Sequence, residues 1–246
     1  MKSRRDNLIQ IARTHYEFVS ENVNVIGTEE EERIIIERLD EKHTKVSVYE
    51  TGKDRRVKHL NYERIFDADV TKSVNVYGNG DDDEFIVKGD VKKGIKVRLI
   101  GGLGTDVFAD STHSSAGKKK TIVYDDLRNN TVISGPDMKD KRTNLYRYNV
   151  YDRRSADSNY DIAIPAPILG VNPDDGLLLG ASATWMRYGF KKEPYASSHA
   201  FGASYAFATH GFKVNYTGDF INAFKKFDFY LDTYYHGPTY AFNYAE

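Results

Sequence analysis

The chain has 246 residues, of which 40% are apolar, and this is enough to build a substantial hydrophobic core. Its 35 basic and 36 acidic residues nearly cancel, so no global positive field exists to hold a nucleic-acid backbone. The absence of cysteine excludes disulfide scaffolds, thiolate zinc sites and cysteine nucleophiles together. Nucleic acid is therefore not an expected partner.

Residues 1–21 predict one amphipathic helix. Apolar residues recur at helical spacing from Leu8 to Val19, with Ile11 and Phe18 on the same stripe. We expect this stripe to pack on the adjacent sheet, and the alternative is a helix that lies on a membrane surface.

Residues 22–150 predict a soluble β-rich domain. Short runs of strand-forming residues, such as 33–38 and 96–100, alternate with turns rich in glycine, asparagine and aspartate. This rhythm predicts an all-β stack or sandwich.

Residues 101–109, Gly-Gly-Leu-Gly-Thr-Asp-Val-Phe-Ala, match the calcium-binding nonapeptide of parallel β-rolls. Aligning Phe85 with Phe108 places Asp83 on Asp106, so a degenerate copy lies 23 residues earlier. Because the nonapeptide repeats every nine residues, we expect these copies not to stack as consecutive turns that share calcium. Asp106 and Asp83 are candidate calcium ligands, and the alternative is a pair of glycine–aspartate turns in a two-fold β repeat.

No combination of residues predicts a catalytic site. The seven histidines lack the paired spacing of a metal site, and no Gly-x-Ser-x-Gly segment is present. We expect no enzymatic activity from this chain and no cofactor, and calcium is the one alternative that its motifs indicate.

Residues 151–175 predict a linker. The segment Ile-Pro-Ala-Pro at 164–167 holds the backbone extended and removes two amide donors. The segment Asn-Pro-Asp-Asp-Gly at 172–176 predicts a turn.

Residues 176–246 differ in composition, because 19 of the chain's 32 aromatic residues lie in the last 62 positions. Segments of about ten residues alternate between apolar side chains and small or polar ones, which is typical of strands that cross an outer membrane. The side chains expected to face lipid are Trp185, Phe201, Tyr205, Phe207, Phe227, Phe229 and Leu231. A soluble β-sandwich is the alternative.

Several segments, taken in order, resemble the BamA/TamA-like outer-membrane proteins, also called the bacterial surface antigen family, in the form common among Bacteroidetes. Asp-Asp-Gly-Leu at 174–177 resembles the start of that family's first barrel strand. Gly-Phe-Lys-Lys-Glu-Pro-Tyr at 189–195 resembles its first outer loop. The similarity extends upstream through residues 77–85 and 97–108.

The resemblance implies a barrel of about sixteen strands, a role in membrane-protein insertion or translocation, and often a preceding calcineurin-like metallophosphoesterase domain. We therefore expect a fragment: a soluble β domain followed by the first antiparallel strands of an incomplete outer-membrane β-barrel. The expected location is the cell outer membrane, with the N-terminal part on the periplasmic side. Expected partners are outer-membrane lipid and client outer-membrane or surface proteins.

The resemblance also implies a lateral seam at the first barrel strand, here residues 177–188, where unpaired backbone groups would template an incoming strand. Two other functions stay open. One is a calcium-binding secreted β-roll or adhesin-like module, and the other is the non-catalytic C-terminal part of a membrane-anchored metallophosphoesterase.

Overall fold

The computed structural model describes residues 2–113, 119–154, 160–223 and 227–237, with side chains from residue 7 onward. Strands account for 53% of the chain and helix for 7%, which confirms the predicted all-β class with one N-terminal helix. The chain divides into two compact units, Met1–Arg153 and Arg154–Glu246, called unit 1 and unit 2 below.

Unit 1 contains a helix followed by short strands. Its elements are α1 (Lys2–Val19), β1 (Asn22–Ile26), β2 (Glu32–Arg38), β3 (His43–Thr51), β4 (Val57–Asp67), β5 (Ser73–Asn79), β6 (Glu84–Lys88), β7 (Lys96–Gly102), β8 (Val107–Asp110), β9 (Thr121–Tyr124), β10 (Thr131–Ile133), β11 (Met138–Asp140) and a 3-10 helix (Tyr146–Tyr148).

The strands of unit 1 form a parallel solenoid in which successive coils add strands to two sheets. One sheet has the order β1-β5-β7-β9-β11, and the other has the order β10-β8-β6-β2-β3-β4. All pairs are parallel except β2–β3 and β3–β4, so the hairpin β3–β4 is an antiparallel insertion. Apolar side chains from both sheets meet between them and form the core.

The 23-residue spacing noted in the sequence is the length of one coil. Phe85 pairs with Phe108 in parallel register, and the centres of their rings lie 4.7 Å apart. Val76 pairs with Leu99 at the same offset in the other sheet. The two copies do stack, but in consecutive coils that each hold two strands and two turns rather than one nonapeptide. The expectation that they do not share calcium stays a prediction.

The described side chains of the helix α1 are not buried on the adjacent sheet. Its apolar side chains are exposed, with accessible fractions of 64% for Leu8 and Ile11 and 48% for Phe18. The outward side of β1 and β5 offers them polar groups instead, since the Asn75 amide donates to the Asn24 side chain at 2.8 Å. The packing prediction is therefore wrong. Within the described residues, no helix is long and apolar enough to cross a membrane.

Unit 2 is an antiparallel sheet whose described strands follow one another in chain order. They are β12 (Ile162–Asn172), β13 (Gly176–Arg187), β14 (Ser197–Ala206), β15 (Gly211–Phe220) and β16 (Phe229–His236). Each strand pairs with the next in an unbroken register.

The strand β12 lies inside the segment that the sequence predicts as a linker. All 11 of its residues pair with β13, and Pro165 and Pro167 lie opposite Ala183 and Ala181. Prolines are tolerated there because β12 is an edge strand among the described residues, and a proline nitrogen of an edge strand can face away from the partner. The linker prediction is therefore wrong for residues 162–172.

The strand β13 is paired on both sides, with β12 and with β14. The predicted seam at residues 177–188 is therefore wrong, because the backbone groups of β13 are already used. Among the described residues of unit 2, the unpaired edges belong to β12 and β16.

Candidate functional site

The sheet of unit 2 has two chemically different faces. Successive side chains of a strand point to opposite faces, and the unbroken register assigns every strand position to one of them. The first face, called the apolar face, carries Ala163, Pro165, Pro167, Leu169, Val171, Leu177, Leu179, Ala181, Ala183, Trp185, Phe201, Ala203, Tyr205, Phe212, Val214, Tyr216, Phe220, Phe229, Leu231 and Tyr235. Its other members are Arg187, Ser197, His199, Gly218 and Thr233.

The opposite face is dominated by small and polar residues. Near its centre Gly180, Ser182, Gly202 and Ser204 lie on neighbouring strands, and Asn215 adjoins Gly202. Larger side chains are found mainly toward its margins: Ile162, Ile164, Ile168, Leu178, Met186, Tyr230 and Tyr234. The separation of bulky apolar side chains from small and polar ones is clearest on β14 and β15, whereas β12 carries apolar side chains on both faces.

The large side chains of the apolar face are not covered by other described residues. The accessible fraction is 46% for Trp185, 51% for Phe201 and 43% for Phe229. Burial of one such side chain is worth about 1.5–3 kcal/mol, so a contiguous face of this extent favours contact with another apolar phase or partner.

Most of the residues predicted to face lipid lie on the apolar face. Strand positions on it are held by Trp185, Phe201, Tyr205, Phe229 and Leu231. Phe207 directly follows β14, and its ring centre lies 5.2 Å from that of Tyr205. Phe227 precedes β16 by two residues and lies outside the strand. Their contact with lipid stays a prediction.

The predicted calcium residues lie at one corner of the solenoid in unit 1, where each coil passes from one sheet to the other. Asp83 Oδ1 accepts the backbone N–H of Glu32 at 2.9 Å, and Asp106 Oδ1 accepts that of Asp83 at 2.9 Å. Asn130 Oδ1 continues the column by accepting the backbone N–H of Asp106 at 2.7 Å. These bonds form a ladder, called the corner ladder, that holds successive coils in register.

Glycine provides the space for these carboxyl groups. A Cβ on Gly78 would clash with Asp83 Oδ2, and one on Gly101 would clash with Asp106 Oδ2. A Cβ on Gly27 would likewise clash with Glu32 Oε2. A glycine five residues before an acidic residue therefore recurs in three coils. The copy at 27–32 was missed in the sequence, although the common spacing of glycine and acid was the clue to it.

Burial changes the protonation of the corner ladder. Desolvation, together with neighbouring carboxyl groups, raises the pKa of Asp83 to about 9 and that of Asp106 to about 8. Desolvation also raises the pKa of Asp125, in the next coil, to about 7. The Oδ2 atom of Asp83 is buried without a hydrogen-bond partner, whereas the side chains of Asp106 and Asp125 share a hydrogen bond. Asp83 and Asp106 are therefore mainly protonated near neutral pH.

The carboxyl oxygens of the corner ladder have two kinds of surroundings. In the described part of the chain, no group of three or more His, Cys, Asp or Glu side chains is arranged to hold a metal ion. The Oδ1 atoms of Asp83 and Asp106 already accept backbone bonds, and their Oδ2 atoms lie against glycine. Calcium binding by these residues stays a prediction.

Comparison of the chain with models of protein families, with curated proteins and with solved structures finds no match. The resemblance to the BamA/TamA-like proteins therefore stays a prediction. Function is inferred below from the geometry of the two units.

Proposed function

We propose that unit 2 forms part of the wall of an outer-membrane β-barrel, with its apolar face toward lipid and unit 1 on the periplasmic side. The continuous apolar face supports this role, because it extends over all five strands of the sheet. The strands contain 8 to 12 residues, and about 9–11 residues suffice for a tilted strand to cross the hydrocarbon core. The proposed role is that of a membrane anchor and is not catalytic.

The nature of the opposite face also supports a barrel wall. A barrel interior accepts small and polar side chains, and Gly180, Ser182, Gly202 and Asn215 are of this kind. A soluble sandwich would instead bury the apolar face under a second sheet. The described residues of unit 2 form one sheet, and the large side chains of its apolar face remain accessible.

Insertion of client strands is the more specific role implied by the family resemblance. It requires a sheet edge whose N–H and C=O groups are free, and β12 forms one edge of the sheet in the described part of unit 2. Pro165 and Pro167 have no amide hydrogen, so β12 lacks two of the donors that a regular strand would offer to a partner. An incoming strand would meet an interrupted ladder at this point, so we propose anchoring rather than strand templating for these residues.

Flotation tests the proposed function. The full chain is diluted from urea into zwitterionic phosphatidylcholine vesicles, washed with alkaline carbonate, and separated on a density gradient. We expect the chain to float with the vesicles and to remain there after the wash, because the apolar face lies in the hydrocarbon. A chain that stays in the dense fraction, and is a soluble monomer in buffer without detergent, contradicts the proposal.

A further inference from the structure

One end of the apolar face carries a group of aromatic and cationic side chains, called the collar: Trp185, Arg187, Phe190, Lys191 and Lys192. The Arg187 guanidinium lies 5.6 Å from the centre of the Trp185 ring, and Lys191 Nζ lies 5.7 Å from that of Phe190. Lys192 Nζ donates to the carbonyl of Ile221 at 2.9 Å. The end of β13 and the loop between β13 and β14 thus carry the three cations of the collar.

Arg187 is the member of the collar that belongs to the apolar face itself. It follows Trp185 by two residues on β13, so both side chains point to the same face, and it pairs with Ser197 of β14. Its side chain is 57% exposed, and its acidic neighbour Asp161 lies 3.9 Å away, at the outer limit of an ion pair. A guanidinium at the border of an apolar surface keeps its stem on that surface while its charge reaches water.

The other end of the apolar face has a different character. The strand ends there contribute Val171, Leu177 and Phe212 to the face. The turn between β12 and β13 carries Asp174 and Asp175 rather than cations. This turn has no counterpart of the three cations of the collar, while the collar end also includes the acidic residues Asp161 and Glu193.

We propose that the collar binds the phosphate group of an anionic lipid at the bilayer surface. Guanidinium groups match phosphate oxygens in geometry, and ammonium groups add charge attraction. Aromatic rings such as Trp185 and Phe190 are enriched at the level of lipid headgroups. The inference rests on the proposed function, because the collar reaches that level only if the apolar face meets lipid.

The single tryptophan of the chain provides the readout. Because Trp185 is the chain's one tryptophan, its emission reports on the collar during a vesicle titration. The full chain is titrated with phosphatidylcholine vesicles and with the same vesicles containing a minor fraction of phosphatidic acid. The partition coefficient is taken from the midpoint rather than from intensity, since Arg187 itself influences the indole.

We expect phosphatidic acid to strengthen partition of the wild-type chain. Arg187→Gln should lose about fivefold of this preference, the effect of one cation near an anionic surface. The matched control is Lys213→Gln, which removes a cation from the opposite face of β15 and should keep the preference. In a separate arm, soluble glycerol phosphate should not abolish the preference, because the lipid is held by its acyl chains as well.

Each contrary outcome has its own meaning. Equal partition into both vesicles, with a shift of Trp185 emission in each, contradicts the collar site while the proposed function stands. An emission that shifts in neither vesicle contradicts the proposed function. Abolition of the preference by glycerol phosphate would show that free phosphate is the ligand, and an equal loss in both variants would show that charge anywhere on the sheet suffices. Either result overturns the lipid site.

Discussion

Substitution of Val214 by arginine places a charge at the centre of the apolar face. Val214 lies in the middle of β15, where it pairs with Ala203 and Tyr235, and the next residue, Asn215, points to the opposite face. Val214→Arg and Asn215→Arg therefore introduce the same side chain at adjacent positions with opposite orientation. Val214→Ala controls for the loss of the valine itself.

The expected magnitude follows from the cost of a charge in hydrocarbon. An arginine that faces lipid near the bilayer midplane costs about 2–4 kcal/mol in a transmembrane barrel, whereas substitutions toward the lumen cost much less. Val214→Arg should therefore weaken partition into phosphatidylcholine vesicles by about 30- to 700-fold. Asn215→Arg should stay within about fivefold of the wild-type chain, which corresponds to a cost of about 1 kcal/mol.

The assay is dilution of the full chain from urea into vesicles, with partition followed by Trp185 emission and strand content by circular dichroism. Equal effects of the two arginine substitutions would refute the two-faced geometry. A large effect of Asn215→Arg with a small effect of Val214→Arg would show that lipid contacts the opposite face, and this would contradict the proposed orientation.

Three further predictions concern unit 1, and each is measured by urea titration of the full chain in detergent micelles with circular dichroism. Folding raises the pKa of Asp83 to about 9 and that of Asp106 to about 8 from the ordinary 3.8, so the folded state holds protons that the unfolded chain releases. The free energy of unfolding should therefore fall as pH rises from about 4 to about 9, and the fall should be smaller in Asp106→Asn. A free energy of unfolding that rises over this range would contradict the burial of these carboxyl groups. Gly101→Ala should destabilise unit 1 by about 1–3 kcal/mol because the added methyl group meets Asp106 Oδ2. The control Gly52→Ala should cost less, since its methyl group meets only flexible side-chain atoms. Equal costs would count against the close approach of Asp106 Oδ2 to Gly101. Calcium should leave the unfolding midpoint unchanged because the Oδ1 atoms already accept backbone bonds, and a calcium-dependent increase that Asp106→Ala removes would favour the calcium-binding module instead.

The strands of unit 2 were largely predictable from local pattern. Alternation with period two at 199–208 and 226–235 corresponds to β14 and β16, because bulky apolar and small or polar residues take turns along these strands. The strand β12 was not predictable in this way, since Pro165 and Pro167 are as typical of a linker as of an edge strand. Which strand forms the edge depends on how the strands pair in the folded sheet, and the local sequence pattern carries no information about this pairing.

The solenoid of unit 1 was predictable only in part. Aligning Phe85 with Phe108 correctly predicted equivalent positions, but parallel pairing between coils joins residues far apart in sequence and leaves no local periodicity. The hairpin β3–β4 also hides the first coil, because it places Gly27 and Gly78 51 residues apart instead of 23. The exposure of α1 likewise depends on the polar outward side of β1, which becomes visible only once the sheet is formed.

Accessibility of β15 to probes tests most directly whether the apolar face contacts lipid. The chain has no cysteine, so single spin labels can be attached to Phe212→Cys, Lys213→Cys, Val214→Cys, Asn215→Cys and Tyr216→Cys without removing a native thiol. In vesicles, labels at 212, 214 and 216 should collide with oxygen dissolved in the hydrocarbon, and labels at 213 and 215 should collide less with it. Labels at 212, 214 and 216 that meet mainly a water-soluble relaxation agent, or neither agent, would contradict the membrane assignment.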